Sequence, residues 1–174
     1  MEQKNYFLSL LSEDKPDAVA VLKGSAVYSE ISGIVKFYAL PEAGILIAAE
    51  ITDLPDTGDD DTPSFFAFHI HETGDCTDNF TNTGTHYNPN NVPHPEHAGD
   101  LPPLLSNDGY AWMIFYDSFL TLPMILDRSV IIHQTPDDFT SQPSGNAGDK
   151  IACGVISKNP TAMPSRRNDI DWED

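Results

Sequence analysis

Basic residues are scarce in this chain of 174 residues: nine lysines and arginines stand against 27 aspartates and glutamates, a formal net charge of −18. Such a surface repels phosphate backbones and anionic headgroups, which excludes nucleic acid and membrane surfaces as partners and favours solubility. Long apolar runs are missing too. No stretch approaches the ~20 residues that a membrane-crossing helix needs. The opening MEQKNYFLSLLSEDKPD has too short an apolar centre to read as an export signal. A cytoplasmic location is therefore slightly favoured over export with a leader already removed. Cysteine is reduced to Cys76 and Cys153, with too little thiolate near the histidines for a Cys-rich structural zinc site. Internal repeats and low-complexity tracts are absent.

Histidine is also rare, but what there is lies together. Of six in the chain, five fall within residues 69–100, HIHETGDCTDNFTNTGTHYNPNNVPHPEHAGD, and only His133 comes later. This clustering raises metal binding. His69 and His71 sit one residue apart in FFAFHIHE. An extended strand sends positions i and i+2 to the same face, so both rings can converge on one ion. His86, His94, His97 and Asp100 follow. The His-x-x-His-x-x-Asp spacing suits a loop folded round a second ion, with imidazole nitrogens and a carboxylate as ligands. Neutral imidazole suits copper, zinc, iron and nickel, of which copper and zinc lead. Each histidine alone reads better as a satisfied core or surface imidazole; the constellation carries the inference.

From Ala18 onward the chain consists of short β-branched and aromatic runs punctuated by Gly, Pro, Asn and Asp, the pattern of all-β sandwiches and barrels. Eight strands are predicted, near 18–23, 31–39, 43–52, 65–71, 101–106, 110–117, 128–134 and 150–156. Asn107-Asp108-Gly109 signals a hairpin because these residues tolerate positive φ. Pro102 and Pro103 demote the start of the fifth strand to an edge or irregular position. Two long connections, residues 72–100 and 133–149, border the histidines, and loops that long inside compact domains are usually functional. The length fits one domain over 18–156. It is preceded by an extension, 1–17, that reads as an added strand, a short helix or a mobile arm. A polar tail, 157–174, follows and is expected to be loosely ordered, although Trp172 could dock it. The acidic run 56–61 reads as a solvated turn.

With these residues in view, the chain resembles the copper/zinc superoxide dismutase family. FHIHE is similar to the family's strand with paired copper histidines, GTHYNP to its bridging histidine, HAGDLP to its zinc histidine and aspartate, and GNAGDKIACGVI to its C-terminal cysteine strand. The resemblance covers residues 18–156. It implies an eight-stranded Greek-key β-barrel or flattened sandwich with two long metal-binding loops. It implies copper on His69, His71, His86 and His133, and zinc on His86, His94, His97 and Asp100, with His86 bridging. It pairs Cys76 with Cys153 as a disulfide, the alternative being two buried free thiols. Asp137, four residues after His133, takes the place of the family's aspartate linking His69 to His94; its other reading is a turn-forming acid, with Asp138 the spare. The implied activity is the conversion of superoxide to dioxygen and hydrogen peroxide.

Departures from the family pattern bear on that expectation. Lys150 stands where the family usually has an arginine that guides the anion. The charge is kept while the planar fork is lost, so activity is expected to be present but reduced. Ala67 replaces a frequent glycine, and the short interval from His94 to His97 implies a compressed zinc loop. The position of Cys76, five residues after His71, together with LPPLLSNDG, is more similar to the bacterial branch. That branch varies in its dimer surfaces, so a homodimer is admitted but does not carry over. The charge of −18 also repels superoxide at long range, so a local positive focus is required at the metal mouth. The alternative function is a non-catalytic relative that stores copper and zinc or uses zinc structurally. A partner-binding β-sandwich is a third class and would need a broad apolar patch.

Overall fold

The computed structural model describes residues 2–41, 44–55 and 64–159. Among the described residues nine strands are present: β1 (Ala18–Gly24), β2 (Ser32–Ala39), β3 (Ile45–Thr52), β4 (Ser64–Phe66), β5 (Phe68–His71), β6 (Leu104–Asn107), β7 (Tyr110–Asp117), β8 (Ser129–His133) and β9 (Lys150–Lys158). Two α-helices, α1 (Glu2–Glu13) and α2 (Leu122–Ile125), and a 3-10 helix over Asp78–Thr83 accompany them among the described residues. All strand pairs are antiparallel, in the order β4-β6-β7-β3-β2-β1-β9-β8-β5. Because β4 and β5 are successive in the chain yet end the sheet at opposite sides, the sheet curls into a nearly closed barrel. Its non-sequential neighbours give the Greek-key connection pattern.

Alternation explains the interior. Ala18, Ala20 and Leu22 of β1, Val35 and Phe37 of β2, and Ile45, Ile47, Ala49 and Ile51 of β3 point inward and are buried. Their intervening neighbours face outward, as a period of two requires. The expected hairpin forms: Asn107 pairs with Tyr110 across Asp108 (φ 54°) and Gly109 (φ 76°). The strand before it starts only at Leu104, beyond the two prolines.

The run expected as one strand over 65–71 is two. Residues before Ala67 pair with β6 and those after it with β8. Ala67 itself donates to Thr135 O (3.0 Å) and accepts from His133 N (2.9 Å), so the chain changes sides of the barrel there. The nine observed strands replace the predicted eight for this reason. Of the three readings of the N-terminal extension, the helix is the one formed, and Asp14 just beyond it pairs with Lys36 on β2. β9 runs two residues past the boundary at 156, with Lys158 opposite Ala18. The acidic run 56–61 and residues 160–174 lie outside the described residues. Among the described residues no helix is long and apolar enough to cross a membrane.

Candidate metal centre

Strand β5 is the spine of the site. One edge pairs with β8, and the other is covered by the long loop that follows. Ile70 N donates to Gly99 O (2.9 Å), Tyr87 N to Ile70 O (2.8 Å) and Glu72 N to Thr85 O (3.0 Å). The loop thereby acts as a further strand, satisfying an edge that would otherwise be open. It sets His71 opposite His86 and His69 opposite Asp100. Gly99 is needed for the close approach, since a Cβ there would lie 2.2 Å from Ile70 O. Short turns, Glu96 N to Pro93 O (2.9 Å) and Asp100 N to His97 O (3.1 Å), bring in His94 and His97. The short interval between these two histidines is thus no obstacle.

His133 arrives from the other side. The β8–β9 register shifts between Ile132, opposite Ala152, and His133, opposite Lys150. Ile151 is the extra residue of a bulge, a device that re-aims side chains beside functional sites. Two donor sets result: His69, His71, His86 and His133, all buried, and His86, His94, His97 and Asp100. Within each set the ligand atoms lie within 4.8 Å of one another.

Hydrogen bonds determine which ring nitrogens remain for a metal. His71 Nδ1 donates to Gly84 O (3.0 Å) and His133 Nδ1 to Gly148 O (3.1 Å), leaving both Nε2 atoms, 3.2 Å apart, facing inward. His69 Nε2 and His94 Nε2 donate to the two oxygens of Asp137, each at 2.9 Å, leaving Nδ1 on both. His86 Nδ1 is 2.7 Å from Asp100 Oδ1, while its Nε2 turns toward the all-histidine set. Asp100 Oδ2 lies 3.0 Å from His94 Nδ1 and 3.3 Å from His97 Nδ1, distances without hydrogen-bond alignment.

His69 Nδ1, His86 Nε2, His94 Nδ1 and His97 Nδ1 are buried without a hydrogen-bond partner. A buried polar atom is costly to leave unmatched. Four of them converging on two centres fit a pair of metal ions, and the tautomers are those a cation requires. Electrostatics agree. Burial, then the neighbouring imidazoles His86 and His133, pushes His69 down to about 2. Burial, then His133 and His86, does the same to His71, also to about 2. His133 is lowered to about 4, again chiefly by burial. All three rings therefore stay neutral, the ligating form. Burial works to raise Asp100, but the hydrogen bond and charge from His86 outweigh it and hold the carboxyl below its ordinary range.

Other expected residues fall around this centre. Cys76 and Cys153 form a disulfide with Cα atoms 5.9 Å apart, beside Phe80 and Ile131. Asp138, the spare, instead caps its own turn through Ser141 and Thr140, and the Ser141 hydroxyl foremost holds its pKa low. Lys150, half-buried, donates to Phe80 O (3.2 Å), Thr83 Oγ1 (2.8 Å) and Gly84 O (2.9 Å). Sequence reasoning passed over Gly84, Gly148, Thr83 and Gly145. The first two act through backbone carbonyls. Gly145, at φ 67°, leaves room for Asp137, whose Oδ1 would be 1.9 Å from a Cβ there.

Two histidine-rich sets sharing His86, carried on strands β5 and β8 and on the long loop after β5 of an antiparallel barrel, define a candidate dinuclear metal centre. Residues 31–156 match the family described as copper/zinc superoxide dismutase (SODC), and the chain belongs to that family. It is 32% identical over 161 residues to superoxide dismutase [Cu-Zn] 3 of Arabidopsis thaliana, covering 83% of this chain and 92% of the relative. The crystal structure of the clock protein EA4 is similar at a TM-score of 0.70 and 31% identity, covering 83% of this chain and 96% of that one. The two donor sets match the family's copper site of four histidines and its zinc site of three histidines and an aspartate.

Proposed function

We propose that the chain is a superoxide dismutase, with residues 18–156 as the catalytic domain and 1–17 and 157–174 as its flanks. The observation that carries this reading is a cavity of about 570 Å³ onto which three of the four histidines of the all-histidine set open, His71, His86 and His133, with His97 of the other set and Lys150 beside them. It exposes one side of the all-histidine set while His69 stays fully buried. An open side is what a catalytic metal site needs and a structural one lacks. Copper held there would supply the one-electron chemistry that takes superoxide to dioxygen and hydrogen peroxide.

The protein's own residues do the rest. His86 offers one nitrogen to each set, so its Nε2 is the atom able to hold a proton and return it to the reduced product. Asp137 holds His69 and His94 in register across the two sets, and the disulfide ties the loop to β9. Lys150 is the only lysine or arginine lining the cavity among the described residues, and its charge draws the anion. A lysine lacks the bidentate fork of arginine, so the rate is reduced and Lys150→Arg raises it.

Pulse radiolysis of superoxide decay tests the reading, on protein carrying one copper and one zinc per chain by elemental analysis and with free copper chelated. A fast rate that His86→Ala abolishes is expected. A rate no better than that of the metal-free chain at full copper occupancy would leave a non-catalytic copper- and zinc-binding relative.

A further inference from the structure

We infer that Lys150 is a positioning residue for the copper set: its ammonium group clamps the carbonyl of Gly84, which in turn orients His71. This rests on the reading of His71 as a copper ligand. An ammonium has three N–H donors. Here each has a partner, in Phe80 O, Thr83 Oγ1 and Gly84 O. An anion in the cavity could gain a hydrogen bond from Lys150 only by displacing one of these. Its charge still acts at a distance, but its donors belong to the loop.

Gly84 O is the junction. It accepts from Lys150 Nζ at 2.9 Å and from His71 Nδ1 at 3.0 Å, which uses both of its lone pairs. The second bond fixes His71 with Nε2 toward the copper set, so whatever holds the carbonyl holds the ligand. The flanking residues are laddered to the chain after β5, Thr73 N donating to Thr83 O (3.1 Å) and Glu72 N to Thr85 O (3.0 Å), while the Gly84 carbonyl between them takes its bonds from Lys150 and His71. Gly84 N makes only a long bond to Thr81 O (3.4 Å). Just before it, Asp78, Asn79 and Phe80 all take positive φ (51°, 50° and 69°). That backbone is unfavourable for non-glycine residues and persists only where its surroundings enforce it. Thr83 Oγ1 donates to Phe80 O at 2.7 Å, so Lys150 contacts both partners of the bond that closes the turn after the bent segment. Lys150 also lies opposite His133 in the β8–β9 ladder. One cation therefore connects the strand beside one copper histidine to the loop that orients another. Arginine, with five donors, could hold the loop and still reach an anion. Lysine cannot do both.

The test uses protein with zinc in one set and Cu(I) in the other, which keeps it diamagnetic. Copper affinity is measured by chelator competition, and solvent exchange of the His71 Nδ1–H by NMR. The His133 Nδ1–H, held by Gly148 on the other loop, is the internal reference. Lys150→Met is expected to speed His71 exchange and weaken copper roughly tenfold, leaving His133 unchanged, and Lys150→Arg to restore both. Unaltered exchange and affinity in Lys150→Met, with loss only of the salt dependence of the superoxide rate, would overturn the clamp and leave a purely steering lysine. Should Lys150→Met not fold, Lys150→Gln removes the charge and shortens the side chain away from Gly84 O while staying polar. It is expected to move both readouts in the same direction, and no change would again overturn the clamp. If the wild-type chain fails to bind copper, the dismutase reading falls. The exchange comparison in zinc-only protein then still decides the clamp.

Discussion

At the scale of single residues, Asp137 shows how one carboxylate can serve two metal sets without touching either ion. Its two oxygens take one N–H each from His69 and His94, both at 2.9 Å, and both side chains it holds are fully buried. A carboxylate is acceptor-only, and that property is what the site uses. Asp137→Asn keeps the shape but substitutes an NH2 for one oxygen, so one imidazole N–H meets a donor. That ring must then turn or change tautomer, taking its Nδ1 off the metal. Zinc affinity, read by chelator competition, is expected to fall roughly 10- to 100-fold while the circular dichroism of the folded barrel is retained. Zinc affinity equal to wild type would show that the two imidazoles are held by packing alone.

At the scale of elements, β9 anchors the first metal loop twice, covalently through Cys153 and by hydrogen bonds through Lys150, three residues earlier. The disulfide spans a sequence separation of 77. Cross-linking a loop that long stabilises by roughly 4 to 5 kcal/mol on the chain-entropy model. Cys76→Ser is accordingly expected to lower the denaturant midpoint of the metal-free chain. Because Cys76 packs with Phe80 against Ile131, the same substitution should loosen the segment that carries Gly84 and speed exchange of the His71 Nδ1–H. An unchanged midpoint together with unchanged exchange would mean that Lys150 and the Phe80 contacts hold the loop without the covalent tie.

The elements also show what a reader of the bare sequence can and cannot find. The ligands were legible because rare side chains recur at spacings that a strand or a tight loop turns into convergence, as with His69 and His71. The strand boundaries at Asp108-Gly109 and after Pro103 were legible because those residues restrict φ by themselves. The break at Ala67 was not, since residues 65–71 are uniformly strand-forming and the change of partner depends on Thr135 and His133, distant in sequence. The aim of His133 depends on a register shift that no composition encodes. Lys150 was legible as a cation beside the site, yet two of its three partners are carbonyls, which carry no residue signature. The helix at residues 2–13 was one of three readings because its sequence is short and mixed. Its neighbour Asp14 has tertiary partners, the Lys36 ammonium and the Tyr38 hydroxyl, and burial first and then Asp14 raise that hydroxyl to about 12.

For the whole molecule, the buried imidazoles couple metal readiness to acid stability. His69 and His71 are lowered to about 2 and His133 to about 4, each mainly by burial, against an ordinary value near ~6.5. Below that ordinary value the unfolded chain takes up protons that the folded chain refuses. The contribution of these rings to stability is therefore fully present above about pH 6.5 and declines as the pH falls toward their folded values. Thermal melts of the metal-free chain are expected to show a lower midpoint at pH 5 than at pH 7.5. His71→Gln, which cannot take up a proton, should flatten that slope. An equal midpoint at both pH values would show that these rings protonate in the folded state as readily as in the unfolded one.

On the proposed dismutase reading, the net charge decides how the molecule would meet superoxide. At 10 mM ionic strength the screening length is about 30 Å, so an approaching superoxide feels most of the −18; at 150 mM it is about 8 Å, and only the mouth counts. The charged side chains lining that mouth are Lys150 and Asp149, which offset one another. Any metal bound beneath them adds positive charge that acts at short range. Salt should therefore remove more repulsion than attraction, and the second-order rate is expected to rise between 10 and 150 mM ionic strength. Asp149→Asn removes the one carboxylate lining the cavity among the described residues and should raise the rate at both salt concentrations. A rate that falls with salt would mean that the positive focus of the site outweighs the distant acids even when they are unscreened. The single lysine and the metals would then suffice to draw the anion in against the charge of the whole chain.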